Sequence, residues 1–430
     1  MARDYLFYLF IRSLLFPLSL FPFSWLHALG KGIGLLAFYL IPRYRKRALS
    51  NLSLASSLNL SSQEIVCTAK RSFRNLAITC LEYPKLLRTR HLDRLVRCVN
   101  PEVASSLIAK GKGIVFFCAH QANWELFFLD GTRYMPGTAI GKPIKNRYLY
   151  RYIIRLRERF GGEIVTPQGA LKQGLRALRQ GRFFGIVGDQ SLPESPYPFD
   201  FFGRRAWTTP LPVILAHRAQ CPLMVATIVR KKGRYLIHYS PPLWPRFTAP
   251  LDQEINRLMP QALALLEKSI AQYPGQWLWQ HNRWKQETAK ILYYRFRLDS
   301  LLIILPSKKA LIHSLLPHLS TFRRLYPKAF ITLLVPEKYQ HAVTLPEAEV
   351  LTYSTHRDLF LRDYRFKLVF NFSSEKALKR HFLRQSAFYV LDQRALTSIA
   401  RKTVSPNDSL SSILKKALSR PHVIWGDHAC

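Results

Sequence analysis

Apolar and polar positions alternate on different scales along this chain. Tyr5–Leu29 is almost unbroken apolar and aromatic sequence, interrupted by Arg12, Pro17, Pro22 and His27. Ile33–Pro42 resumes it after a Gly-rich break, and Arg43, Arg45, Lys46 and Arg47 follow at once. Helical periodicity then runs from about Arg47 to Val99. Gly113–Ala119 is apolar without alternation, which predicts a buried strand, and Asn123 is placed to cap a helix through Trp124–Leu129. A strand over Ala139–Lys142, a basic helix over Arg147–Phe160 stopped by Gly161-Gly162, a helix over Gly169–Gln180 and a second buried strand at Phe183–Val187 come next. A helix at Leu211–Ala219, strands at Pro222–Arg230 and Arg234–Tyr239 and a helix at Asn256–Gln272 complete this region.

Beyond residue 286 the pattern changes. Gln286–Asp299 reads as a linker helix. Strands are predicted at Leu301–Leu305, Phe330–Val335, Glu349–Tyr353, Phe366–Phe372 and Ala387–Leu391, with helices at Ala310–Leu325 and Ser374–Arg384 between them. Such alternation predicts a parallel α/β sheet. The division is therefore a membrane-anchoring segment over 1–46, a main domain over 47–286 and an α/β extension over 287–430.

Composition sharpens this in two ways. A net charge of +38 favours an anionic partner. Zinc spacing, nucleic-acid motifs and a long basic tail are all missing, so no nucleic acid is expected. The N-terminal apolar stretch supplies the other partner, a membrane. A span needs about 20 mostly apolar residues, and Arg12 with two prolines leaves an in-plane or bent anchor as open as a span. The stretch is too long for a cleaved signal, and its basic flank suits the cytoplasmic face of the inner membrane. Six scattered cysteines without a CxxC give no metal site or disulfide framework and fit a reducing compartment.

The candidate chemistry starts at His120 and Glu125. His120 falls at the carboxyl end of the strand Gly113–Ala119, where open α/β sheets bind ligands. Glu125 falls in the first turn of the next helix. Five positions apart, the two can meet when His120 lies in the loop before that helix. His422 and Asp427 share the spacing but have no such helix. Gly188-Asp189-Gln190 ends the second buried strand, and is either a second piece of an α/β site or a plain turn.

The apolar N-terminus with its basic flank, HQANWE, RERFGG, GDQ, FFGRRAWTT and YPGQWLWQHNRWK together resemble the late acyltransferases of lipid A biosynthesis, over roughly residues 1–286. The resemblance implies a glycerolipid-acyltransferase-like mixed sheet flanked by helices, with an apolar N-terminal membrane helix. It implies an inner-membrane enzyme moving an acyl chain from acyl carrier protein to a hydroxyl of a lipid A precursor, with no cofactor. His120 would be the general base and Glu125 would orient it. Arg157 and Asp189 would bind substrate phosphate or form a structural ion pair, with Gln190 and Asn123 as further substrate contacts. Trp207 stands where many members carry an aliphatic residue or Thr, and is expected to trim the acyl groove.

The string from Leu301 to Gln340 also resembles the N-terminal half of lipopolysaccharide heptosyltransferases. Its first loop, Pro306-Ser307-Lys308-Lys309, lacks the Gly and Asp of that family, and a second sheet domain has no room before residue 430. The extension is therefore expected to be a small, non-catalytic Rossmann-like domain. Two other readings remain at this stage. One is acylation of glycerol phosphate, a lysophospholipid or another glycolipid. The other is a basic membrane or nucleic-acid binding protein with a relict site.

Overall fold

A computed structural model describes residues 2–288, 292, 294–399, 408 and 412. His422 and Asp427 lie outside the described residues. The chain divides into two compact units, each assembled from separated segments. The first comprises residues 1–41, 67–191 and 195–278, and the second 42–66, 192–194 and 279–430.

The helices α1 (Ala2–Leu18), α2 (Phe23–Leu40), α3 (Pro42–Leu54) and α4 (Ser62–Leu86) open the chain. Among the described residues no single helix is long and apolar enough to cross a membrane. The apolar stretch is instead split at Pro22, and α1 and α2 carry many exposed large apolar side chains, among them Leu6, Phe10, Leu14, Trp25, Leu36 and Leu40. The Gly-rich stretch does not break the segment as its composition predicts. It lies inside α2, where Gly30 and Gly34 let the helix touch α4 backbone to backbone. A Cβ at Gly34 would come within 2.4 Å of the Arg74 Cα.

A seven-stranded mixed sheet forms the centre of the first unit. In chain order come β1 (Val96–Cys98), α5 (Glu102–Ala109), β2 (Ile114–Cys118), α6 (Glu125–Tyr134), β3 (Gly137–Ile140), α7 (Arg147–Arg157), β4 (Glu163–Val165), α8 (Ala170–Arg179) and β5 (Phe183–Val187). The hairpin β6 (Pro198–Phe201) and β7 (Arg204–Trp207) stands apart from the sheet. Then follow α9 (Leu211–Arg218), β8 (Leu223–Lys231), β9 (Arg234–Tyr239) and α10 (Leu251–Gln272). Strand order is β1-β9-β8-β2-β5-β3-β4, and β8 with β9 is the antiparallel pair. β2 is parallel to both neighbours and buried at every position, which is why its sequence shows no alternation.

The second unit holds β10 (Ser300–Ile304), α11 (Lys309–Leu315), α12 (Leu319–Leu325), β11 (Phe330–Pro336), β12 (Ala348–Tyr353), β13 (Leu368–Asn371), α13 (Ala377–Arg384), β14 (Tyr389–Asp392) and α14 (Gln393–Ile399). Its five strands are all parallel, in the order β12-β11-β10-β13-β14. This is the order of a doubly wound sheet. Leu301, Ile303 and Leu333 pack with Ile312 and Phe322, whereas Leu302, Ile304 and Leu334 pack with Leu378 and Phe382. Alternate residues thus serve opposite faces, each covered by helices. The predicted helix over Ala310–Leu325 is broken into α11 and α12 by a short 3₁₀ turn at Leu316–His318, where Pro317 removes a backbone donor.

Candidate active site

Strand register builds the site. Cys118 in β2 stands opposite Val187 in β5, and the two strands run parallel. Two residues further along each chain lie His120 and Asp189. Asp189 accepts a hydrogen bond from His120 Nδ1 at 2.6 Å through one oxygen. Its other oxygen accepts from the His120 backbone N–H at 2.9 Å and from Trp277 Nε1 at 2.6 Å. The carboxylate is 2% exposed and the imidazole 17%. Burial raises the Asp189 pKa, but the His120 charge and the three donors outweigh it, and the net shift is downward. With Nδ1–H given to Asp189, Nε2 is the ring nitrogen that carries the lone pair. Gln190 Nε2 lies 3.3 Å from it.

Glu125 takes another set of partners. Arg157 grips it with two bonds, Nε to Oε2 at 2.7 Å and Nη2 to Oε1 at 2.6 Å. The Tyr83 hydroxyl donates to Oε1 at 2.5 Å. Burial again pushes the carboxyl up, the Arg157 bonds and charge push it further down, and His120 adds a smaller downward contribution. No hydrogen bond or ion pair joins His120 to Glu125. The expected contact between them is thus replaced by two separate pairs, His120–Asp189 and Glu125–Arg157. The physical reason is register: the β2–β5 pairing brings a carboxylate from 69 residues away to the ring before Glu125 can reach it.

The loop between His120 and α6 is held from several sides. Ala122 sits at φ 48°, the left-handed region that a Cβ disfavours by roughly 1–2 kcal/mol. Its N–H donates to the Gln276 carbonyl, and its own carbonyl accepts from Asn75 and Thr79. The His120 carbonyl accepts from the Leu278 N–H. Gln276–Leu278, in the middle of YPGQWLWQHNRWK, is therefore a wall of the site. Asn123 accepts the Glu125 N–H at 3.3 Å and donates to Glu82 at 2.7 Å. Glu82, fully buried, also takes the Tyr235 hydroxyl and contacts His27 of α2 at 2.5 Å.

An apolar cavity of about 50 Å³ lies on the far side of a residue that touches the ring. Trp124, whose ring meets His120 edge-on at 5.0 Å, lines it with Cys118, Phe127, Phe128, Ile140 and Val187. Trp207 is not among its lining residues, so the expected trimming has no footing at this cavity.

The six candidate residues His120, Asn123, Glu125, Arg157, Asp189 and Gln190 are thus tied into a set of short contacts beyond the carboxyl ends of the central strands β2 and β5. Sequence reasoning missed Tyr83, Glu82 and Trp277. Trp277 lay in a quoted motif, but nothing local connects it to an aspartate 88 residues earlier.

The sheet with this polar cluster defines a mixed α/β fold with a candidate site at its strand ends. More narrowly, the model of the bacterial lipid A biosynthesis acyltransferases matches residues 1–286, and the chain belongs to that family. It is an acyltransferase of lipid A biosynthesis. No curated protein matches the chain.

Proposed function

We propose that this enzyme transfers a fatty acyl chain from acyl carrier protein to a hydroxyl of a lipid A precursor, with His120 as general base. The observation that carries the reading is the buried His120–Asp189 contact at the carboxyl ends of two neighbouring parallel strands. Nε2 takes the proton of the acceptor hydroxyl as its oxygen attacks the thioester carbonyl. Collapse of the tetrahedral intermediate breaks the C–S bond, and the departing thiolate takes the proton from the imidazolium. The products are an ester and a free thiol, and no cofactor enters. Asp189 holds the tautomer and stabilises the imidazolium.

Glu125 acts through Arg157. It uses Nε and Nη2, and Nη1 stays outside that pair. We assign Nη1 to the oxyanion or to a substrate phosphate. Gln190 marks the place where the acceptor hydroxyl would approach Nε2. Asn123 keeps the loop in register.

The exposed apolar side chains of α1 and α2 suit a mount on the cytoplasmic face of the inner membrane. Exposed Lys142, Lys145, Arg151 and Arg155 suit an acidic carrier protein.

The test is product analysis with purified protein, acyl carrier protein thioesters of several chain lengths, and a lipid A precursor. Glycerol phosphate and a lysophospholipid serve as rival acceptors. The expected product is the precursor one acyl chain heavier. Transfer confined to a rival acceptor, or no product with any donor, overturns the reading.

A further inference from the structure

We infer that the second unit carries a binding site for a phosphorylated saccharide. Its cavity, about 700 Å³, is lined by Ser62, Gln63, Arg362, Arg380, His381 and Arg384, with Phe360 and Gln385 also in the wall. That volume is in the range of small-ligand sites.

The charge pattern points to the ligand. Arg380 and Arg384 stand four apart on α13 and share one face of the helix, a like-charge arrangement that destabilises a helix by itself. Neither they nor Arg362 forms an ion pair or side-chain hydrogen bond among the described residues, and none of the residues lining the cavity is acidic. The nearest carboxylates in sequence are committed elsewhere. Asp363 is bonded to Arg365 and Ser53, and Glu64 to Ser61. By contrast, Arg365 is paired with Asp363 and Glu349, and Arg323 is tied to backbone carbonyls. Three unneutralised guanidiniums around one concavity match a phosphate group, which the guanidinium fork binds bidentately.

The rest of the wall favours a sugar over a bare anion. The loop that carries Arg362 is pinned to α13, because the Leu361 carbonyl accepts from His381 Nε2 and Gln385 Nε2, each at 2.8 Å. The cavity is therefore held open by bonds of its own. Gln385 Oε1 is buried with no partner and lacks a donor such as a hydroxyl. Ser62 and Gln63 add further hydroxyl partners, and the Phe360 ring, 5.2 Å from His381, gives an apolar plate for a pyranose face.

Isothermal titration calorimetry of the full chain in detergent tests this, with glucosamine 6-phosphate as the probe and glucosamine and inorganic phosphate as controls. The sugar phosphate is expected to bind more tightly than either control. The double substitution Arg380→Ala/Arg384→Ala is expected to weaken it roughly tenfold or more, as loss of charge-assisted bonds does. Arg380→Gln/Arg384→Gln, at the same exposed positions, should give the same loss with more of the stem packing kept. His120→Ala should bind the probe as the unaltered chain does, which separates this site from the acyl-transfer reading. No binding of the probe, affinity in both double variants unchanged from that of the unaltered chain, or inorganic phosphate binding as tightly as the sugar phosphate would overturn the proposal.

Discussion

The two sheets of this chain treat their edges differently. In the first unit the carboxyl ends of β2 and β5 deliver His120 and Asp189 into contact, with a base nitrogen left over. In the second unit the polar groups at the same end are used up locally. Asn371 Oδ1 accepts from the Ser373 N–H and hydroxyl, its Nδ2 donates to the Glu375 carbonyl, and Asp392 accepts the Ala395 N–H. The buried charge there sits at the amino ends instead, where Lys367 before β13 bonds Asp299 before β10 at 2.6 Å. Burial lowers the Lys367 pKa, Asp299 opposes that, and burial prevails. A parallel sheet offers a crevice at its carboxyl edge in both cases. Side chains alone decide whether chemistry follows.

The sharpest way to break this contrast is to strike each buried pair. His120→Ala should lower turnover by roughly 10²–10⁴-fold, the range for loss of a general base. Asp189→Asn should approach the same loss, because the ring then loses its tautomer and its counter-charge. Glu125→Ala should also fall in that range if Arg157 works at the reacting atoms. Steady-state acyl transfer decides all three. A near-normal rate for His120→Ala ends the assignment.

Lys367→Met should do the reverse. It leaves Asp299 buried without its cation, at a cost of about 3–5 kcal/mol in denaturant unfolding, with turnover per folded molecule unchanged. Gly34→Val should cost about 1–3 kcal/mol, since α4 backbone already fills the space.

Acid should expose the two carboxylates of the first unit. Both have pKa values below the ordinary range, so the stability they contribute is full above roughly pH 4 and is lost as pH falls through their lower folded values. The double variant Glu125→Gln/Asp189→Asn should show a flatter acid limb in thermal melts. The smallest effect expected is a turnover that falls a few-fold from low to moderate salt, as the basic face of α7 is screened. A flat profile would remove that face as the carrier dock.

Much of this was legible in the sequence, for reasons that also mark the limit. Apolar runs without alternation located β2 and β5, because parallel strands are buried on both sides. The chain therefore placed His120 and Asp189 at strand ends. It did not say which strands are neighbours, so the ring was assigned the nearby Glu125. Only the order β2-β5 makes Asp189 adjacent. The same limit hid Glu82 and Tyr83 within an ordinary-looking helical repeat, where no local pattern marks a polar side chain as inward. The Gly-rich stretch between Leu29 and Ile33 reads as a break in sequence. In the fold the missing Cβ atoms of Gly30 and of Gly34 beyond it are what the α2–α4 contact requires.

The bonds from Gln276 and Leu278 to the loop at 120–122 have a consequence for timing. Ala122 is kept in its unfavoured conformation by residues that the ribosome adds more than 150 positions later. A nascent polypeptide halted before Pro274 would own both His120 and Asp189, yet would lack the strap and the indole that hold them. Competence should therefore switch on abruptly during translation, once that closing strap has emerged and docked.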